Sequence, residues 1–163
     1  MEALIEVIRD SLSAIRNPRF YETERGFQGE LLSELRSRLP SLELNGAIVE
    51  QEYQKRIKDH GFTIRPDLII HVPFEGSDYV NRSEGNFVVF ELKLRSNRIN
   101  ARNDYINLSQ MCDVLGYPLA VFINIDSDET FFEECKGLCH GTFQAFAVKL
   151  ANNKVLISEQ TRT

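Results

Sequence analysis

Asp67, Glu91 and Lys93 are the residues of this chain whose types and spacing point most directly to chemistry. Glu91 and Lys93 fall in the stretch 86–95, NFVVFELKLR, whose apolar start reads as a buried β-strand. Residues two apart on a strand share a face, so the carboxylate and the ammonium project together while Leu92 packs the other way. Burying both charges is costly unless something at the strand end uses them. Upstream, Arg65-Pro66-Asp67 opens the apolar run Leu68-Ile69-Ile70 and sets a carboxylate into another core strand. An Asp from one strand with a Glu and a Lys from the next makes a compact divalent-metal site with a cation beside it.

Pro66-Asp67 followed by Glu91-Leu92-Lys93 resembles the PD-(D/E)XK motif of the restriction-endonuclease-like nuclease superfamily. The resemblance extends over residues 20–126: a helix with a central Glu30 precedes the motif, and a helix carrying Gln110 and then an apolar strand follow it. It implies an α/β fold with a restriction-endonuclease-like core, a central mixed β-sheet flanked by helices. It also implies Mg²⁺ or Mn²⁺ held by Asp67, Glu91 and the backbone carbonyl of Leu92, with Glu30 reaching the metal directly or through water. Glu34, one turn later on the same side, is the alternative to Glu30. Lys93 would position or deprotonate the attacking water and stabilise the pentacovalent phosphate, and Gln110 would orient water or phosphate. The pattern departs at Val114, where a frequent subfamily has Tyr four residues after the Gln, so the helicase-associated branch is not implied.

The elements that must position these residues are legible from periodicity. Residues 1–16 place Leu4, Ile5, Ile8, Leu12 and Ile15 at helical spacing, and Asn17-Pro18 ends that helix. A second helix over 23–39 carries Phe27, Leu31, Leu32, Leu35 and Leu39, with Pro40 stopping it. Strands follow over 47–57 and 62–72, the latter with Asp67 in its middle and His71 on the same face; a lone histidine there reads more simply as a satisfied one than as a ligand. Residues 73–85 form a polar connection. After the motif strand, a helix over 103–115 and a strand over 119–125 give a crossover with a parallel pair. Asp126-Ser127-Asp128-Glu129 caps a short helix reaching Cys135, and strands over 142–150 and 154–159 form a C-terminal β-hairpin. Cys135, Cys139 and His140 offer three ligands at zinc-like spacing but lack the fourth that a structural site needs.

With 163 residues and 42% hydrophobic composition, the chain reads as a single nuclease-like domain over 1–163 with a sizeable core. No apolar run approaches the length of a membrane span. The acidic, amphipathic N-terminus lacks the pattern of a secretory signal, and three cysteines at irregular positions suit a reducing compartment, so the expected location is cytoplasmic. A net charge of −5 sits awkwardly with nucleic-acid binding, which draws most of its affinity from phosphate neutralisation. The charge is unevenly spread, however: Arg95, Arg98 and Arg102 follow Lys93 closely and read as a basic loop for the phosphate backbone. The expected activity is metal-dependent phosphodiester hydrolysis of nucleic acid, DNA before RNA, with a homodimer or a larger protein partner supplying what an acidic domain lacks. Two alternatives stand beside it. One is a catalytically inactive member of the fold acting as a binding or scaffold module. The other is an unrelated α/β domain in which Glu91 and Lys93 form a structural ion pair and Asp67 is not aligned with them.

Overall fold

The computed structural model describes residues 1–51, 64–74, 84–138 and 141–162. Helix α1 (Glu2–Ala14) buries Leu4, Val7, Ile8 and Leu12 along one stripe, as a surface helix with an apolar face must. Asn17 then turns the chain, its side chain accepting the Arg19 N–H at 3.1 Å over a 3₁₀ turn that Pro18 opens. Helix α2 (Glu24–Arg38) starts at Thr23, whose hydroxyl accepts the Gly26 N–H at 3.0 Å and so satisfies one donor of the first turn. It gives way to a 3₁₀ turn at Leu39-Pro40.

Among the described residues, six strands form one sheet, lying side by side in chain order. They are β1 (Ile48–Gln51), β2 (Leu68–His71), β3 (Asn86–Leu94), β4 (Leu119–Ile125), β5 (Thr142–Ala151) and β6 (Lys154–Arg162). β1, β2 and β3 pair antiparallel, β3, β4 and β5 pair parallel, and β6 returns antiparallel on β5. The sheet is therefore mixed, with helices on both faces. Leu68, Ile70, Val88, Phe90, Leu92, Val121 and Phe146 pack against α1 and α2. Ile69, Val89, Phe122 and Phe143 pack on the other side against Tyr105, Leu108 and Met111 of α3 (Arg98–Leu115). Strand alternation thus decides which residues meet α3: on β3 they are Val89, Glu91 and Lys93. No helix among the described residues is long and apolar enough to cross a membrane.

Several boundaries differ from the expected ones, each for a local reason. α3 begins at Arg98 rather than at 103, because the Asn97 side chain caps it by accepting the Asn100 N–H at 2.9 Å. Arg98 and Arg102 consequently stand on the first turns of a helix and not in a loop. β2 begins at Leu68, so Asp67 lies just ahead of the strand rather than inside it. β1 accounts for 48–51 of the expected strand 47–57, whose remainder lies outside the described residues. The short helix expected after Asp126 contracts to a 3₁₀ turn (Phe132–Cys135), since Asp126 and Phe131 take left-handed φ values of 55° and 50°. The C-terminal hairpin is as expected. Its tip, Asn152-Asn153, has φ of 52° and 59°, the doubly left-handed turn that matches the twist of paired strands.

This hairpin supplies the sheet edge against which α1 rests: Arg9 pairs with Glu159 at 3.0 Å. Asn tolerates the left-handed region and β-branched residues do not, at about 1–2 kcal/mol per residue. Asn153→Val is expected to lower the unfolding free energy by about that amount, and Asn153→Gly to leave it level or slightly higher. Denaturant titration of the two variants checks both.

Candidate active site

The centre of the site is the C-terminal half of β3. Glu91 is 5% exposed, on the α3 face of the sheet, and Lys93 follows it on that face. The β2–β3 register pairs Leu68 with Phe90, and one step further places Asp67 opposite Glu91. Two backbone contacts hold it there: the Asp67 N–H donates to the Phe90 carbonyl at 3.2 Å, and Asp67 Oδ2 accepts the Leu92 N–H at 2.7 Å. From the other side of the sheet, Gln28 of α2 donates its side-chain amide to the Asp67 carbonyl at 2.7 Å. Leu92 itself is buried against α1 and α2, so its contribution to the site is its backbone.

Two further carboxylates close in. Glu24, in the first turn of α2, accepts the Leu94 N–H at 3.2 Å and lies 3.8 Å from the Lys93 ammonium. Asp104, on α3, is buried, and its Oδ2 has no hydrogen-bond partner among the described residues. Both are in phase with the buried stripe of their helix: Glu24, half-buried itself, precedes Phe27, Gln28 and Leu31 by three, four and seven residues, and Asp104 precedes Leu108 and Met111 by four and seven. A charged residue in phase with an apolar stripe is the signal for both that the sequence carries.

The structure gathers Asp67, Glu91 and Lys93, but it leaves out others expected with them. Glu30 is half-buried and sits about 9 Å further along α2 than Glu24, at the helical rise per residue. The α2 carboxylate whose charge acts on Asp67 and Lys93 is that of Glu24. Glu34 is engaged by Arg38. Gln110 is exposed, six residues beyond Asp104 on a helix that runs away from the strand end, whereas Asp104 is buried. His71 is paired with Glu50 at 2.6 Å on β1, in keeping with the simpler reading. The arginines are engaged as well: Arg95 with Asp126 at 2.7 Å, Arg98 with Glu133 at 2.6 Å and Glu134 at 2.9 Å, and Arg102 with Glu134 at 3.1 Å. They remain well exposed, and ion pairs of that kind are weak and exchangeable. Cys135 is buried in the core beneath α3; Cys139 and His140 lie outside the described residues.

Electrostatically the cluster is a crowd of acids around one ammonium. Burial raises the Glu91 carboxyl well above the usual carboxylate range, and the charges of Asp67 and Asp104 raise it further. Asp67 is also raised, mainly by burial, against the opposing pull of the Leu92 amide and Lys93. Asp104 is pushed up to about 6 by burial. Lys93 is held above its ordinary value because the attraction of Asp104, Glu24, Asp67 and Glu91 outweighs its desolvation. In the metal-free chain it is therefore an ammonium at neutral pH, suited to steadying negative charge rather than to taking a proton.

The class defined by this arrangement is a helix-flanked mixed sheet with acids and a lysine meeting at the end of a central strand. Solved structures share that fold. NucC of E. coli MS115-1 in its cAAA-bound form aligns with a TM-score of 0.58 at 11% identity, covering 98% of this chain and 82% of that one. Its apo form gives 0.54 at 10% identity, with 98% and 83% covered. NucC of P. aeruginosa ATCC27853, cAAA-bound, gives 0.50 at 10%, with 97% and 81% covered. No family model matches the sequence, and no curated protein matches it significantly.

A carboxyl whose pKa is raised on folding favours the protonated chain, so it costs stability as pH climbs from the unfolded value to the folded one. For Asp104 that window runs from about 4 to about 6. In chelator at about pH 8, Asp104→Asn is expected to stabilise the protein by on the order of 1 kcal/mol after screening. The difference should shrink as pH falls through that window and vanish below about pH 3, where both states hold the proton. Thermal melts of both proteins across that range check the sign.

Proposed function

We propose that this protein is a metal-dependent nuclease that hydrolyses phosphodiester bonds, with DNA as its substrate. The observation that carries the reading is the convergence of Asp67 and Glu91 across the β2–β3 pair with Lys93 on the same face. An unrelated domain with a structural Glu91–Lys93 pair would not bring Asp67 into register with them. The shared fold with NucC, a nuclease of the PD-(D/E)XK-like type, supports the same reading. The retained carboxylates and lysine weigh against an inactive scaffold.

The residues present fit a hard divalent cation such as Mg²⁺ or Mn²⁺. Their donors are all oxygen, four carboxylates share one ammonium, and a buried carboxylate oxygen lacks a partner. No three His, Cys, Asp or Glu side chains among the described residues converge closely enough to ligate an ion by themselves. Asp67 and Glu91 would hold it, with the Leu92 carbonyl and water completing the shell. When bound, the cation would supply Lewis acidity toward a phosphate oxygen and lower the pKa of a water. The chain's own residues do the rest. Asp67, locked by the Leu92 amide, fixes where Glu91 meets it. The Lys93 ammonium faces the phosphate and steadies the charge that grows on it during attack. Glu24 holds Lys93 and the Leu94 amide, so in this chain it takes the place expected of Glu30. Arg95, Arg98 and Arg102 exchange their carboxylate partners for backbone phosphates, and a second copy or a basic partner adds the positive charge that the acidic surface lacks.

The test is cleavage of a panel of duplex, single-stranded and branched DNA and of RNA with Mg²⁺ or Mn²⁺. Lys93→Ala and Asp67→Asn are each expected to lower the rate by about 100-fold or more. Glu24→Gln should lower it by roughly ten-fold and Glu30→Gln hardly at all. Cutting that is equal in wild type and Lys93→Ala, or absent under every metal, counts against the reading. In binding assays, Arg98→Ala and Arg102→Ala should each reduce the dependence of log affinity on log salt by about 0.9.

A further inference from the structure

Asp104 has no counterpart in the motif and no task in the mechanism above. It sits on α3, 6% exposed, in a carboxylate environment: the charges that act on it are those of Lys93, Asp67 and Glu24. Its Oδ2 is buried without a donor. Lys93 does not satisfy it, since among the described residues the ammonium's ion pair is with Glu24. A buried carboxylate oxygen without a partner is one of the least favourable groups a fold can contain. α3 nevertheless holds it firmly, being capped by Asn97 and anchored by Tyr105, whose hydroxyl donates to the Thr130 carbonyl at 2.9 Å. What is missing at this oxygen is a hydrogen-bond donor between α3 and β3.

Among the described residues no three such side chains converge closely enough to ligate one ion, Asp104 with Asp67 and Glu91 included. A water carried by the cation is a donor that reaches beyond the ligands themselves, and Mg²⁺-type ions keep several waters, each with protons to donate. We propose that Asp104 is the outer-shell carboxylate of the cation centre, its Oδ2 accepting a hydrogen bond from a water carried by the divalent cation that Asp67 and Glu91 hold. The inference rests on the reading of Asp67 and Glu91 as ligands. It gives that water a fixed orientation, with one proton directed at α3, and it makes Asp104 a positioning residue rather than a catalytic one.

The test reads metal binding and not turnover. Mn²⁺ is titrated calorimetrically into the metal-free full chain, as wild type, Asp67→Asn and Asp104→Asn, with thermal melts confirming that each is folded. Asp67→Asn is expected to abolish measurable binding, and Asp104→Asn to weaken it about 10-fold or more, the usual cost of losing an outer-shell partner. Should the Asn variant not fold, Asp104→Ser makes the same comparison. Binding by Asp104→Asn as tight as wild type, while Asp67→Asn binds none, overturns this inference alone. A loss in Asp104→Asn as complete as in Asp67→Asn makes Asp104 a direct ligand and also overturns it. A wild type that binds no Mn²⁺, or an Asp67→Asn that binds like wild type, removes the reading of Asp67 and Glu91 as ligands and this inference with it.

Discussion

The hydrogen bond from the Leu92 amide to the Asp67 carboxylate is the contact on which the site depends, because it holds two acids together where burial makes both costly to ionise. Asp67 and Glu91 face one another across the β2–β3 pair, and the charge of Asp67 raises the cost of ionising Glu91. Repulsion of that kind is relieved by movement wherever movement is possible. Here it is not. The opposite face of β3 is committed to core by Val88, Phe90 and Leu92, Gln28 grips the Asp67 carbonyl, and Glu24 binds the Leu94 amide at the strand's end. The well-packed face of the strand restrains the strained one.

The same logic runs along the neighbouring strand. Asn124 of β4, paired in register with Lys93, is fully buried; its side chain accepts the Ser96 N–H at 2.8 Å and donates to the Glu129 carbonyl at 2.7 Å. It thereby ties the turn after β3 to the turn after β4. Arg95 and Asp126, both left-handed, end these strands side by side and pair with one another. The start of α3 is set by that turn, and with it the inward direction of Asp104. An acidic chain thus gathers carboxylates at this strand end and keeps its exposed arginines on the margin in weak ion pairs.

The central strand, its two faces and the pairing of an acid and a base on one of them were legible in the order of residues alone, because alternation along a strand is a local property. So were α1, α2, β4 and the hairpin, whose limits depend on nearby Pro, Thr and Asn residues acting over a few positions. The start of α3 was less legible, since Asn97 caps it ahead of a polar first turn that carries no apolar stripe. Which acid of α2 reaches β3, and whether α3 turns Gln110 or Asp104 inward, only the tertiary structure decided. Glu24 and Glu30 are equally plausible in a list of residues. What separates them is the depth at which α2 crosses the sheet, and that is fixed by Phe27, Leu31 and Leu35 packing against side chains distant in sequence. The burial that raises Glu91 and leaves Asp104 without a partner arises in the same way, from three layers closing over one strand end, which no local pattern encodes.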